Sequence, residues 1–326
     1  MAITGSLLSL DDVHAARKRI GERLHRTPML SSRTLSEHAG ANVSFKAELF
    51  QRTGSFKPRG VLSKLATLSA EEKVRGVISI SAGNHAQALA YAAAVEGIDA
   101  LVVMWQTASP MKIAAAREYG ATIDTVAPDI PAAFQRLDDL VASTGRTLVH
   151  PYDDPLVIAG QGTVGTEIVE DVPDVDLVLV PVGGGGLVSG IATAVRALRP
   201  DTRVVAVEPE RSRALHESLK AREPVTVEPA SIADGLNGPY AGANCVRICL
   251  EQNVESVLVS EDAIRDAFRF MYGRMKLACE LAGAATAAAL LSHAVDLDGA
   301  REVAAVVSGG NVAAKTAAAI LAADEG

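Results

Sequence analysis

One segment decides the fold: Asp176-Leu177-Val178-Leu179-Val180-Pro181-Val182-Gly183-Gly184-Gly185-Gly186. Its first half is apolar at consecutive positions, which is typical of a strand covered on both faces. The four glycines then lead into a segment with helical spacing that begins near Leu187. A buried strand followed by a helix is the unit from which parallel sheets with crossover helices are built. The segment therefore predicts an α/β protein.

The same alternation of strand and helix recurs along the chain. Further strand candidates are residues 76–80, 100–104, 121–126, 203–208 and 302–307, and alanine-rich helical segments follow the first three at 86–96, 111–119 and 131–143. Two series of such units predict two lobes, each a parallel-rich sheet flanked by helices. We expect a ligand cleft between the lobes, since ligands of such folds bind beyond the carboxyl ends of the strands.

Composition and charge exclude several kinds of partner. The 326 residues are 48% hydrophobic and carry a formal net charge of -8, which suits a large core and argues against nucleic acid. No apolar run reaches the length of a membrane span, and the N-terminus lacks a secretory signal. The three cysteines make no disulfide framework. We expect a cytoplasmic protein that acts on a small molecule, away from membranes.

Lys57 lies in a setting that favours covalent chemistry. Glycines stand three residues before and after it, and Pro58 restricts the backbone directly after it, in Thr53-Gly54-Ser55-Phe56-Lys57-Pro58-Arg59-Gly60. A solvated surface lysine tolerates almost any backbone. A lysine that holds a carbonyl as a Schiff base instead needs a fixed origin and a dry pocket. The octapeptide therefore suggests a nucleophilic lysine.

The glycines at 183–186 predict a phosphate site. Without Cβ atoms the backbone amides can approach an anion closely, and the N-terminus of the following helix adds a favourable dipole. A tight turn would need one or two glycines, not four. Residues 184–189 also come close to a dinucleotide-binding fingerprint, with Glu208 near the position of a ribose-binding acid. That alternative leaves the Lys57 segment without a role.

Two further strand ends carry small and polar residues. In residues 79–88 a strand opens into a turn and a helix start whose free amides suit a carboxylate. Asn84 in this turn offers a donor and an acceptor to a phenolate oxygen, although asparagine also caps helices well. His85 is more typical of a structural role than of a base. At the end of the strand 302–307, Ser308 is placed to meet a ring nitrogen, and a capping role is its alternative.

Together these segments resemble the serine/threonine dehydratases and related serine racemases, which are fold-type II pyridoxal-phosphate enzymes. The resemblance runs from Thr27-Pro28 to Ser308-Gly309-Gly310-Asn311. It implies a two-lobed fold like that of the tryptophan synthase β subunit. We expect a large cofactor-binding lobe formed by residues 1–48 and 146–326, and a small lobe formed by residues 49–145, with the active site between them.

The family resemblance also implies residue roles. Lys57 would hold the cofactor aldehyde covalently and take the substrate α-proton, and Phe56 would pack against the cofactor ring. Gly183, Gly184, Gly185, Gly186 and Leu187 would bind the phosphate, Asn84 the 3′-oxygen and Ser308 the ring nitrogen, with Gly235 beside the ring. Ser81, Ala82, Gly83 and His85 would line the carboxylate site, with Asp234 toward the substrate hydroxyl.

The resemblance favours loss of water from a 2-amino-3-hydroxy acid, L-threonine or L-serine, to give a 2-oxo acid and ammonia. A neutral serine at the ring nitrogen makes the ring a weaker electron sink than an aspartate would, which favours β-elimination over a long-lived carbanion. Racemases of the family resemble Ser-Ser-Gly-Asn-His at the carboxylate loop. Ala82 replaces the second serine here and has no proton to give, so efficient racemisation is not expected.

Several alternatives stay open at this point. The substrate is alternatively 3-hydroxyaspartate or a hydroxylated compatible solute such as a hydroxyectoine derivative, and a β-replacement synthase would use the same fold. A nucleotide-binding dehydrogenase and a non-catalytic ligand sensor are alternatives of another class. A divalent cation near Glu208 is left open, since Ala214 lacks a ligating oxygen, and no metal ligand is assigned. A homodimer is the family expectation.

Overall fold

The computed structural model describes residues 7–108 and 110–323, which form two lobes. The larger lobe is built on a six-stranded sheet with the strand order β1-β2-β10-β7-β8-β9. Its strands are β1 (Met29–Ser31), β2 (Asn42–Ala47), β7 (Leu177–Pro181), β8 (Arg203–Pro209), β9 (Glu255–Val259) and β10 (Glu302–Val307). The β1–β2 pair is antiparallel, and the other neighbouring strands of this sheet pair in parallel.

The smaller lobe contains a parallel four-stranded sheet with the order β5-β4-β3-β6. Its strands are β3 (Val77–Ile80), β4 (Ala100–Trp105), β5 (Thr122–Ala127) and β6 (Thr147–Leu148). Because β6 pairs with β3, this sheet extends past residue 145, where the smaller lobe was expected to end. A strand of two residues carries no periodicity that sequence analysis can detect.

Helices cover both sheets. They are α1 (Leu10–Ile20), α2 (Arg33–Ala39), α3 (Lys57–Leu65), α4 (Ala70–Arg75), α5 (Asn84–Glu96), α6 (Pro110–Glu118), α7 (Ile130–Thr144), α8 (Pro155–Asp171), α9 (Gly186–Leu198), α10 (Ala214–Ala221), α11 (Ala243–Glu251), α12 (Glu261–Phe270), α13 (Leu281–Leu291) and α14 (Ala314–Ala322). Among the residues that the structure describes, no helix combines the length and apolarity that a bilayer crossing requires.

Glycines bring three helices close together beneath the cleft. A Cβ atom on Gly160 of α8 would lie 2.4 Å from the carbonyl oxygen of Arg59 in α3. On the other side of α8, a Cβ atom on Gly190 of α9 would lie 2.4 Å from the carbonyl oxygen of Ile158. Since only glycine permits such approaches, α8 holds α3 and α9 at a fixed separation. Lys57 begins α3, and the four-glycine turn leads into α9.

A buried charge network anchors α3. Arg59 is 2% exposed and donates to both oxygens of Glu48 and of Glu167, at 2.7 to 2.9 Å. Lys46 is fully buried, lies 2.8 Å from Glu167, and donates to the carbonyl oxygen of Thr27 at 2.7 Å. Every charge in this group therefore has an opposite charge and hydrogen bonds, as burial requires. The network joins α3, β2 and α8, and Arg59 lies two residues after Lys57.

We predict that Arg59→Ala lowers the free energy of unfolding by about 3–5 kcal/mol, because two carboxylates stay buried with their main cation removed. Urea unfolding followed by circular dichroism measures this loss. Arg33→Ala is the matched control, because Arg33 pairs with Glu37 at the surface with its side chain 91% exposed. Its change should stay within about 0.5 kcal/mol. Equal losses in the two variants would contradict the role assigned to the network.

Candidate active site

The loop before Lys57 pairs with the end of β10. The amide of Phe56 donates to the Ser308 carbonyl oxygen at 3.1 Å, and the amide of Gly310 donates to the Gly54 carbonyl oxygen at 2.9 Å. Ser55 and Gly309 form an antiparallel bridge between these two bonds. The backbone at the root of Lys57 is therefore fixed to the larger sheet, which gives the side chain the fixed origin expected from the sequence.

The amine of Lys57 lies near a backbone carbonyl oxygen and an aromatic ring. Its Nζ donates to the Pro151 carbonyl oxygen at 2.9 Å and lies 5.1 Å from the centroid of the Phe56 ring. Burial removes water from the ammonium and lowers the pKa of Lys57 to about 8. A substantial fraction of the amine is therefore neutral, and so nucleophilic, near physiological pH.

The four-glycine turn connects β7 to α9 and lies close to other chain segments. A Cβ atom on Gly184 would lie 2.4 Å from the Tyr152 ring, and one on Gly186 would lie 2.7 Å from the Tyr152 carbonyl oxygen. Gly185 has a φ of +96°, and its Cβ would lie 2.8 Å from that of Cys245. Close packing and a left-handed backbone therefore explain why this turn contains more glycines than a simple turn needs.

Helix α9 begins without a side-chain cap. Gly185 is its N-cap residue and offers no side-chain acceptor, so the first amides of the helix keep their donors for an external acceptor. Several other helices in the chain begin with a serine or aspartate cap, as Ser9 and Ser69 cap α1 and α4. An uncapped start with oriented amides is a favourable anion site.

Helix α5 also has an uncapped start at the cleft. Gly83 is its N-cap residue without a side-chain hydrogen bond, and its own amide donates to Ser81 Oγ at 3.1 Å. Ser81, Ala82, Gly83 and Asn84 are all partly exposed at this edge of the smaller sheet. The Ser81 amide is also used, on the Val103 carbonyl oxygen at 3.3 Å. The donors that suit a carboxylate are therefore the first amides of α5, which no side chain caps.

His85 is buried beneath this turn. Its Nε2 lies 3.0 Å from Ser79 Oγ and 3.1 Å from the Val149 carbonyl oxygen, which joins β3 to the segment after β6. Burial, followed by the charge of Lys57, lowers the pKa of His85 to about 3, so the ring is neutral. This geometry supports the structural role over a role as a base.

Glu280 lies at the centre of the site. The sequence left two places for it equally open, one near the cofactor and one buried with a partner. It is 6% exposed, and Asn84 Nδ2 donates to its Oε1 at 2.7 Å. A Cβ atom on Gly235 would lie 3.6 Å from the same oxygen. Burial raises the pKa of Glu280 to about 7. Its position directly before an alanine-rich helix is a weak sequence signal, which does not distinguish it from an ordinary first-turn acid.

Asp234 and Ser308 are placed differently in the cleft. Ser308 is 3% exposed at the carboxyl end of β10, beside Phe56. Asp234 is largely exposed, and it forms an ion pair with Lys112 of α6 across the mouth of the cleft. Lys112 was not singled out from the sequence, because its partner lies more than one hundred residues away.

Glu208 caps a helix. Its two carboxylate oxygens accept the amides of Leu215 and His216 at 2.9 and 2.7 Å, at the first turn of α10. Burial raises the pKa of Glu208 to about 8. Both oxygens are occupied, so this geometry disfavours the ribose-binding role that a dinucleotide site would need. Within residues 7–108 and 110–323, no cluster of three or more His, Cys, Asp or Glu residues could hold a metal.

Comparison with known proteins agrees with this geometry. The family model described as pyridoxal-phosphate dependent enzyme matches residues 20–309. The chain belongs to this family. It is 40% identical over 315 residues to the catabolic L-threonine dehydratase of Escherichia coli strain K12, an alignment that covers 96% of each protein.

Solved structures lead to the same family. A threonine deaminase of T.th. superposes with a TM-score of 0.87 and 42% identity, covering 94% of this chain and 99% of the other. The serine racemase of maize superposes with a TM-score of 0.92 and 34% identity, covering 95% of each chain. The resemblance and the fold class predicted from the sequence are thereby confirmed.

The residues of the cleft fit pyridoxal phosphate, the cofactor that the family implies. Lys57 supplies an amine with a lowered pKa for the aldehyde. The uncapped start of α9 would supply amides for the phosphate, and Asn84 and Ser308 would supply polar groups for the ring. An aldehyde, a phosphate and a heteroaromatic ring each find a matching group in one cleft.

We predict that Gly185→Ala costs more stability than Gly120→Ala, by about 1–3 kcal/mol, because the new methyl group overlaps Cys245. Gly120 is the matched control: its φ is also +96°, but nothing lies within 4 Å of its Cβ position. The two variants therefore share the backbone strain and differ in packing. Urea unfolding measures both, and equal losses would show that the glycine turn has room for a side chain.

Proposed function

We propose that this protein is a pyridoxal-phosphate-dependent dehydratase that converts L-threonine to 2-oxobutyrate and ammonia, and acts on L-serine in the same way. The observation that carries the proposal is Lys57, whose pKa burial lowers to about 8 and whose backbone is tied to β10. Relatives that are 40% identical over most of the chain are named threonine ammonia-lyase or threonine dehydratase.

We assign the cofactor-binding roles as follows. Lys57 holds the aldehyde carbon and Phe56 packs beside the ring. The amides of the 183–186 turn and of Leu187 bind the phosphate, with Asn84 at the 3′-oxygen, Ser308 at the ring nitrogen and Gly235 beside the ring. The uncapped start of α9 and the close position of Gly235 beside Glu280 support these assignments.

The substrate roles belong to the start of α5. Ser81, Ala82 and Gly83 line the substrate carboxylate site, and the first amides of α5 bind the carboxylate, because this helix lacks a capping side chain. His85 supports this turn from below through Ser79 and Val149. Asp234 reaches the substrate hydroxyl only if it exchanges its partner, Lys112.

Pyridoxal phosphate supplies an electron sink that acidifies the α-hydrogen of an amino acid bound to it. The chain contributes the base: burial lowers the pKa of Lys57 to about 8, so part of its Nζ is a neutral amine near physiological pH and would accept the α-proton. The β-hydroxyl takes up one proton and leaves as water, and the α-proton accepted by Lys57 balances the proton used. The enamine released hydrolyses to the 2-oxo acid and ammonia. The water lost in elimination is balanced by the water consumed in hydrolysis.

The charge at the cleft mouth favours threonine and serine over 3-hydroxyaspartate. A second substrate carboxylate would need a cation whose charge is not already matched. Lys112 is the cation nearest Asp234, and the two are paired. This pair therefore offers no uncompensated positive charge to an acidic side chain, whereas a methyl group or hydrogen on the β-carbon needs none.

The oligomeric state, the need for a divalent cation and the cellular location are three further proposals. We propose a homodimer, which light scattering of the purified protein tests. We propose activity without a divalent cation at Glu208, whose oxygens already cap α10, and unchanged activity in chelator tests this. The cytoplasmic location is a prediction for fractionation of the source cells.

We predict that Lys57→Ala abolishes both the visible absorbance band of the bound cofactor and the formation of 2-oxobutyrate from L-threonine. Absorbance spectroscopy and a coupled keto-acid assay measure the two effects. Lys64→Ala is the matched control, since Lys64 lies on the same helix and pairs with Asp154 at 2.8 Å. That variant should retain both signals. Product formation by Lys57→Ala would refute the mechanism, and dinucleotide binding without a visible band would favour the dehydrogenase alternative.

We predict that Ala82→Ser raises the rate of serine racemisation above that of the unmodified protein, because it adds a hydroxyl proton to the carboxylate turn. Chiral chromatography of serine after incubation measures it, with pyruvate formation followed in parallel. An unchanged D-serine yield would show that Ala82 is not what disfavours racemisation.

A further inference from the structure

A chain of hydrogen bonds crosses the cleft from the Lys57 loop to the start of α13. Asn311 Nδ2 donates to the Thr53 carbonyl oxygen at 2.7 Å and to Asn84 Oδ1 at 2.8 Å. Asn84 Nδ2 in turn donates to Glu280 Oε1 at 2.7 Å. The chain joins the end of β10, the loop before α3, the start of α5 and the start of α13.

The Thr53 carbonyl oxygen determines which atom donates in each hydrogen bond of this series. The Thr53 carbonyl oxygen can only accept, so Asn311 must present its nitrogen there. The same nitrogen then uses its second hydrogen on Asn84, which must present its oxygen in return. Asn84 Nδ2 therefore faces the other way, gives one hydrogen to Glu280, and keeps one. Glu280 Oε1 accepts this bond whether or not the other carboxyl oxygen carries a proton.

We propose that Asn311 is a positioning residue that holds the Asn84 amide with its remaining N–H directed at the 3′-oxygen of the cofactor. This inference rests on the proposed function and adds a residue to it. A free asparagine amide presents its oxygen and its nitrogen about equally, and only the nitrogen can donate to a phenolate oxygen. Asn311 donates to the oxygen of Asn84, and Glu280 accepts from its nitrogen on the other side, so the amide has one orientation before the cofactor binds. This is preorganisation of a donor.

The backbone around Asn311 is shaped to receive it. Thr53 and Gly54 have φ angles of +63° and +71°, an uncommon conformation for a threonine. A Cβ atom on Gly54 would lie 2.5 Å from Asn311 Oδ1. The loop before Lys57 therefore leaves room for the Asn311 amide, and Thr53 adopts a left-handed backbone conformation to do so. Strained backbone of this kind is concentrated at functional sites.

The position of Asn311 also links the two lobes. It follows β10 of the larger sheet, whereas Asn84 begins α5 on the smaller sheet. Because Asn311 also holds the Thr53 carbonyl, one side chain sets the amide orientation and the loop that carries the nucleophile. The covalent site and the donor at the ring are thereby positioned relative to each other.

The test compares cofactor binding to the unmodified protein and to Asn311→Asp, starting from protein stripped of cofactor. Aspartate keeps the size of the side chain and has no N–H, so the Asn84 amide turns its nitrogen toward position 311 and its oxygen toward the ring. We expect at least tenfold weaker binding of pyridoxal phosphate, measured by titration of the visible band. Asn253→Asp, at an exposed turn, adds the same charge elsewhere and should bind like the unmodified protein.

A double variant separates polarity from charge. Asn311→Asp with Glu280→Gln has as many carboxylates in the chain as the unmodified protein. If added charge alone weakened binding, the double variant would regain it. We expect binding to stay at least tenfold weaker, because the glutamine can donate to the reversed Asn84 amide and so retains the wrong orientation. Regained affinity would overturn the inference, as would unchanged affinity in Asn311→Asp alone.

Two further outcomes are distinguishable. If the unmodified protein itself gains no visible band, the proposed function fails and the role of Asn311 fails with it. Melting of the cofactor-free variants reports folding independently of the cofactor. Should Asn311→Asp not fold, Asn311→Ser decides: at least threefold weaker binding supports the inference, and unchanged binding overturns it.

Discussion

The backbone pairing between the loop before Lys57 and the end of β10 is the constraint on which the site depends. It joins residues 54–56 to residues 308–310, about 250 positions apart, through two hydrogen bonds and one bridge. A lysine side chain has four rotatable bonds, so a fixed root is needed before its amine can meet a carbonyl in one geometry. The central strand of the larger sheet supplies that root and also carries Ser308.

Burial also shifts the pKa values of the ionisable groups around Lys57. The same loss of solvent lowers the pKa of Lys57 to about 8, raises that of Glu280 to about 7 and keeps His85 neutral. Lone charges are therefore disfavoured in the cleft, which makes a neutral amine available as a base. Directly beneath, the opposite solution applies: Arg59 is buried against Glu48, and ion pairing and hydrogen bonds offset the cost of burial.

The three helices under the cleft convert this local chemistry into a rigid site. Contacts at Gly160 and Gly190 bring α3, α8 and α9 to separations that larger residues would prevent. Lys57 and the uncapped start of α9 consequently share one support. The candidate site thus consists of a few oriented donors, held by glycine contacts and buried ion pairs that lie outside the cleft.

Local patterns in the sequence were sufficient to predict the α/β fold, strands such as β7 and β10, the glycine turn and the candidate lysine, because periodicity and residue type act over a few neighbours. Strand β6 was not identified, since two residues carry no period. The hydrogen bond between Asn84 and Glu280, the Lys112–Asp234 pair and the hydrogen bond between Asn84 and Asn311 also required the tertiary structure. Those partners lie more than one hundred positions apart, and only the folding of both lobes around one cleft brings them into contact.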